Sequence, residues 1–312
     1  MKLYSTIVSA MVLGATAINS ITGGVNTAFD AGNNLYNIVE TSEKSVDEMG
    51  KASSYGINIE PTNYDTSKLS NTKQSWYFVA NNNHTQPQGN SSVALNKYNA
   101  YYVGNPNEKK IYLTFDEGYE NGYTSKILDV LKAKNVKAAF FVTKPYIESD
   151  PELVKRMVAE GHLVGNHSVK HLSSPTLSDS QLKNELTETA QAFEKVTGQA
   201  MPKVFRPPMG EYSERTLAVT SNMGYKTVFW SFAYKDWITT AQPGKDVAYN
   251  TVMSKYHNGA VLLLHAVSKS NTEALDSIIK DLKAQGYTFK SLYDLPQWWK
   301  MLKTLIIFKF LI

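Results

Sequence analysis

Not one of the 312 residues is cysteine. That absence removes a disulfide framework, thiolate nucleophiles and thiolate metal ligands together. Charge is sparse as well: Asp, Glu, Lys and Arg make up 19% of the chain and the formal net charge is +4. No Lys/Arg block of the kind that marks a nucleic-acid surface occurs, so nucleic acid is not an expected partner. No glycine-rich dinucleotide turn and no phosphate-cradling loop are present, which argues against a nucleotide cofactor. Long apolar runs are missing too. The uncharged stretch at residues 3–28 has its most apolar part at 7–18, short for a bilayer span.

What is present begins with that stretch. Met1-Lys2 precedes it, and Ala15-Thr16-Ala17 and Asn26-Thr27-Ala28 offer small-residue cleavage points. Residues 1–28 therefore read as a secretory signal peptide, with an uncleaved anchor as the alternative. Export without disulfides suits a bacterial wall better than a vertebrate-type secreted module. Residues 29–107 form an Asn/Ser/Thr-rich leader with little periodicity. Its aromatic clusters, Trp76-Tyr77-Phe78 and Tyr98, Tyr101 and Tyr102, are either anchors onto a main domain or part of a cleft wall. The last stretch, 296–312, is apolar with two lysines after Trp298-Trp299-Lys300, and its role stays open among interface contact, a final packed strand and a sequence aberration.

From Lys110 onward, apolar strand-like runs alternate with amphipathic helical patterns. About seven such units fit into residues 108–295, which predicts an α/β fold, a distorted (β/α) barrel, with an open doubly wound sheet as the alternative. A helix is expected over 124–134, another opening at Pro151, and a long one capped by Ser178 and Gln181 in a capping box.

The polar groups fall where strands end, the place at which parallel α/β folds bind ligands. The run 111–115 ends in Asp116-Glu117-Gly118; on its own this could be a surface turn. His167 and His171 are four apart, so one helical turn would present both on one face, and two imidazoles plus an oxygen donor make a divalent-metal site with Zn²⁺ as the default. Arg206 is held by Pro207 and Pro208 and suits a buried carboxylate. Asp236-Trp237 and a histidine ending an apolar strand, His265, complete the set, the latter placed to act on a leaving group. Each has an ordinary structural reading alone; their joint occurrence at successive strand ends points to one site.

Thr114-Phe115-Asp116-Glu117-Gly118, His167-Ser168-Val169-Lys170-His171, Arg206-Pro207-Pro208-Met209-Gly210, Asp236-Trp237 and Leu263-Leu264-His265 together resemble the polysaccharide deacetylases of carbohydrate esterase family 4, the NodB homology domain, over residues 108–295. Tyr119-Glu120-Asn121-Gly122-Tyr123, Ser75-Trp76-Tyr77-Phe78 and Leu264-His265-Ala266-Val267-Ser268 resemble its δ-lactam-biosynthetic branch, which acts on muramic acid of spore-cortex peptidoglycan. The resemblance implies a metal-dependent amidohydrolase. Asp116 would be the general base, held by Arg206; His265, oriented by Asp236 and flanked by Trp237, would protonate the departing amine. Glu117, His167 and His171 would hold a divalent metal, Zn²⁺ by preference. The family has aspartate where this chain has Glu117, so the longer side chain must shift to recover ligation at about 2.0–2.2 Å. A backbone N–H near Tyr212, with Pro207 and Gly210 alongside, would form the substrate and oxyanion wall. The implied partner is the peptidoglycan glycan strand, and the implied compartment the cell wall or spore cortex. De-N-acetylation of peptide-free N-acetylmuramic acid frees an amine that closes on the lactyl carboxyl as muramic δ-lactam. An N-acetylglucosamine deacetylase and a wall-binding protein with weak catalysis are the competing readings.

Overall fold

A computed structural model describes residues 62–295. The signal-peptide reading, the first part of the leader and the apolar tail lie outside the described residues. In chain order the elements are β1 (Gln74–Ser75), β2 (Tyr77–Val79), β3 (Gln88–Asn90), β4 (Ala100–Tyr101), β5 (Lys110–Glu117), α1 (Thr124–Ala133), β6 (Ala139–Val142), α2 (Lys144–Ser149), α3 (Pro151–Ala159) and β7 (Leu163–Asn166). There follow α4 (Asp179–Thr197), β8 (Val204–Phe205), β9 (Glu211–Tyr212), α5 (Glu214–Asn222), β10 (Lys226–Val228), α6 (Lys245–Met253), β11 (Ala260–His265), α7 (Lys269–Ala284) and β12 (Thr288–Phe289).

The main sheet runs β11-β5-β6-β7-β8-β10-β4, all pairs parallel, with β12 beside β5. Past β10 the chain bridges across to β11: Ser231 and Phe232 both donate to the Val261 carbonyl, and Leu263 donates to that of Phe232. The curled parallel sheet is the distorted barrel that the alternating pattern predicts. The leader meets it twice. β1 pairs antiparallel with β9, and β4 joins the main sheet as a partner of β10. Trp76 and Tyr98 are buried with Ala100, Tyr212, Leu217 and Phe229, so these two aromatics pack as anchors.

Strand parity explains how the barrel organises its contents. Successive side chains of a strand point to opposite faces, and both faces of a parallel sheet are covered. On β5, Ile111, Leu113 and Phe115 face outward and pack with Ile127, Leu128 and Leu131 of α1. Tyr112 faces inward, where it meets Ala139, Phe141, Leu163, Val204, Val228 and Val261 from the neighbouring strands. The helices end as their sequences dictate. α3 opens on Pro151, and α4 starts with the reciprocal Ser178–Gln181 capping box and stops at Gly198 in the left-handed region.

Candidate active site

The inward parity, carried to the carboxyl ends of the strands, selects the polar residues. Counting by twos from the interior residues Tyr112, Leu163, Val204 and Val261 gives Asp116, His167, Arg206 and His265. These four therefore converge above the apolar plug of the barrel, and three of them line a cleft of about 710 Å³ together with His171, Pro207, Gly210 and Trp237. A larger cleft of about 970 Å³, among Trp76, Tyr101, Tyr112 and Leu295, lies toward the amino-terminal end of β5 and is lined by no histidine.

Arg206 sits beneath the site, fully buried. Its Nη1 donates to Asp116 Oδ1 at 2.6 Å and its Nε to the Val228 carbonyl at 3.1 Å, while the guanidinium stacks 4.1 Å from the Phe141 ring centre. Burial works to raise the Asp116 pKa. The positive charge of Arg206, helped by His167 and His265, outweighs it and holds the carboxyl below the usual range. Asp116 is thus an ionised carboxylate fixed through one oxygen, with the other 3.6 Å from His167 Nε2.

On the adjacent strand β11, in register beside Asp116, His265 Nδ1 lies 2.7 Å from Asp236 Oδ1, and the His265 backbone N–H donates to Asp236 Oδ2 at 2.9 Å. Asp236 is buried, and the Asn271 side-chain amide also donates to Oδ2. Burial lowers the His265 pKa, but the hydrogen bond and charge of Asp236, with Asp116 adding to them, win and raise it. Because Nδ1 donates to the carboxylate, Nε2 is the atom left for a substrate. Trp237, half exposed, packs with its ring centre 5.3 Å from that of His265.

His167 and His171 come together with ring centres 4.9 Å apart, but not by the helical turn that their spacing suggests. The segment is a loop in which Ser168 (φ 70°) and His171 (φ 53°) are left-handed. Glu185 of α4 holds it: one carboxylate oxygen accepts the N–H groups of Val169 and Lys170, each at 2.8 Å. Glu185 escaped the sequence reading, although it carries a charge on the buried stripe of Leu182, Leu186 and Thr189, which is the sign that could have revealed it. The Arg206 carbonyl can only accept, so His167 Nδ1 donates to it at 2.8 Å and Nε2 keeps its lone pair. Burial pushes the His167 pKa down to about 4, leaving a neutral imidazole, and burial lowers His171 as well.

Glu117 does not join them. As an outward residue of β5 it continues the series Ile111, Leu113, Phe115 and lies fully buried on the helix side, with Thr124 Oγ1 at 3.5 Å and Oε1 without a hydrogen-bond partner. Burial, then the negative charges of Glu120 and Asp116, raise its pKa well above the ordinary value. Among the described residues no group of three or more His, Asp or Glu converges to hold a metal. The expected ligand set of Glu117, His167 and His171 is therefore not assembled, because adjacent strand residues face opposite ways. The Tyr212 side chain is turned from the cleft, its hydroxyl reaching Gln74 and Ser91, whereas the expectation at this position concerns a backbone N–H. The wall beside Pro207 is completed by Gly210 (φ 65°), where a Cβ would sit 2.8 Å from the Trp230 ring.

A parallel barrel with a carboxylate–arginine pair beside a carboxylate–histidine pair at one cleft is an arrangement for acid–base hydrolysis. The polysaccharide deacetylase family profile matches residues 103–228. The chain is 48% identical over 222 residues to the peptidoglycan-N-acetylmuramic acid deacetylase PdaA of Bacillus subtilis, covering 70% of this chain and 84% of that protein. It is 52% identical over 229 residues to an uncharacterised 30.6 kDa protein of Geobacillus stearothermophilus, covering 73% and 86%. The solved structure of Bacillus subtilis PdaA, a family 4 carbohydrate esterase, superposes with a TM-score of 0.71 at 47% identity, covering 73% of this chain and 98% of that one. The chain belongs to the polysaccharide deacetylase family.

Proposed function

We propose that the protein hydrolyses the acetamide of N-acetylmuramic acid in peptidoglycan glycan strands from which the peptide has been removed, releasing acetate and a free C2 amine. In a spore cortex that amine closes on the lactyl carboxyl to give muramic δ-lactam. The observation that carries the reading is the pair of dyads facing one cleft, Asp116–Arg206 at 2.6 Å and His265–Asp236 at 2.7 Å. Similarity to a muramic acid deacetylase supports the choice of substrate.

The residues suggest the following sequence. A water on the free Oδ2 of Asp116 loses its proton to that carboxylate as it attacks the acetamide carbon. Arg206, already committed to Oδ1, keeps the base aimed and ionised. His265, protonated and held through Nδ1 by Asp236, then gives the Nε2 proton to the departing amine, and the C–N bond breaks. Trp237 shields that imidazole and offers a face to the sugar ring. Pro207 and Gly210 form the wall where the carbonyl oxygen would lie.

Members of the family generally use a divalent metal. Imidazole donors would suit Zn²⁺, and His167 Nε2 and His171 are the two protein groups that would hold it. With Glu117 on the other face of β5, no step above is routed through an ion.

Acetate release from peptide-free muramyl glycan, measured beside N-acetylglucosamine oligomers of equal length, tests the reading. Release from the muramyl substrate with loss of activity in Asp116→Asn is expected. Activity confined to the glucosamine oligomers would replace the substrate, and near-normal activity in Asp116→Asn would overturn the role of the base.

A further inference from the structure

One charge in the cleft has no part in the chemistry above. Lys235 lines it, is exposed, and makes no hydrogen bond or ion pair with any described residue. Among the described residues lining the cleft it is the only lysine or arginine. The backbone sets it apart deliberately. Asp236 N–H donates to the Tyr234 carbonyl at 2.9 Å, a three-residue turn with Lys235 at its apex. The residues on either side are both tied inward, Asp236 to His265 and Tyr234 through its hydroxyl to Asn271. Lys235 is thus carried on the His265 wall, one residue from the group that orients the acid.

The other charges of the cleft are already spent on each other. Among the described residues Asp116 is the only carboxylate in the lining, and Arg206 neutralises it from below. An anionic group entering beside the reacting acetamide therefore meets no unpaired carboxylate, and meets one free cation. On a muramyl unit such a group exists: the lactyl ether sits on C3, the carbon next to the one that carries the acetamide. Its carboxylate is negative only when no peptide is attached, since the peptide bond converts it to a neutral amide. A glucosamine unit presents a neutral hydroxyl at the same place.

We propose that Lys235 binds the free lactyl carboxylate, and so makes this cleft prefer muramyl units whose peptide has been removed. This rests on the muramyl reading and supplies its selectivity. Lys235 touches no reacting atom; it is a specificity residue, and its effect belongs in KM. The full chain, as wild type, Lys235→Ala and Lys235→Arg, is to be assayed for acetate release on three glycans of equal length. The first carries free lactyl carboxylates, the second the same groups as primary carboxamides, and the third only N-acetylglucosamine. Wild type is expected to favour the carboxylate over the carboxamide about tenfold in kcat/KM, the scale of one charge-assisted hydrogen bond, with the difference lying in KM. Lys235→Ala brings that ratio close to one, and Lys235→Arg restores most of it. An unchanged ratio in Lys235→Ala, or no preference in wild type, overturns the role of Lys235 while leaving the muramyl reading standing. Wild-type activity on glucosamine oligomers alone overturns both.

Discussion

Replacing Arg206 with methionine removes the buried guanidinium beneath the site while keeping much of its volume. The structure sets the consequence. The guanidinium and its partner Asp116 are both buried, the first completely and the second with 9% of its side chain exposed, so water cannot substitute for the lost partner. Breaking a buried pair from one side costs about 3–5 kcal/mol, which for a domain of this size corresponds to a fall in Tm of about 6–20 °C. The Val228 carbonyl loses a donor at the same time. The pH dependence follows from the sign of the shift. Asp116 has a lowered pKa in the folded protein, so the stability it contributes is fully present above the ordinary value of 3.8 and is lost as pH falls through its folded value. In Arg206→Met, burial acts without its counterweight and the Asp116 pKa rises. The Tm difference from wild type should then be small in acid and widen toward neutrality, and the acid limb of kcat/KM should move to higher pH. The double variant Asp116→Asn/Arg206→Met, having no stranded charge, should lose less than the sum of the single losses. Differential scanning calorimetry across pH, with acetate release over the same range, measures both. A Tm within a degree or two of wild type at neutral pH, together with an unmoved acid limb, would refute the argument.

How legible this site was in the sequence differs from residue to residue for physical reasons. The strand ends could be read because β5 and β11 are apolar runs that stop at a polar residue, and burial on both faces requires such runs in a parallel barrel. Asp116, Arg206 and His265 come together because each follows the inward parity of its own strand. Glu117 shows the same rule from its other side. It adjoins Asp116 in sequence, and for that reason points to the opposite face; period-two alternation outweighs the proximity that a paired carboxylate motif suggests. The His167–His171 pair was recognisable by spacing, but the helical explanation failed. A left-handed Ser168 and His171 carry no glycine or asparagine to announce them, and the loop is stabilised by Glu185, remote in sequence. The family pattern implies only a backbone N–H near Tyr212, whereas the burial of its ring against Phe229 and its hydroxyl bond to Ser91 depend on the leader folding back. Contacts of that range leave no local periodicity to read.

Three further outcomes can be checked. The raised pKa of His265 makes the protonated acid the active form, so kcat/KM should fall as pH rises through that value; Asp236→Asn should move this alkaline limb to lower pH, and an unmoved limb would deny Asp236 its orienting charge. Gly210→Ala combines a positive φ with a 2.8 Å approach to Trp230, and thermal unfolding should report a loss of about 1–3 kcal/mol with a raised KM, whereas wild-type stability would show that the loop yields freely. The last concerns metal binding, followed by Zn²⁺ titration calorimetry on wild type, His167→Ala, His171→Ala and Glu117→Gln. Glu117 lies on the helix side of β5 with its pKa raised well above the ordinary value, so an amide there should disturb neither folding nor the cleft. His167 instead keeps an Nε2 lone pair directed toward Asp116, fixed by the hydrogen bond from Nδ1 to the Arg206 carbonyl. Loss of either imidazole should therefore remove Zn²⁺ binding, while Glu117→Gln should keep the wild-type Kd. A Kd weakened more than about tenfold by Glu117→Gln, equivalent to about 1.4 kcal/mol, would mean that the carboxylate swings through the strand end into the cleft when the ion arrives.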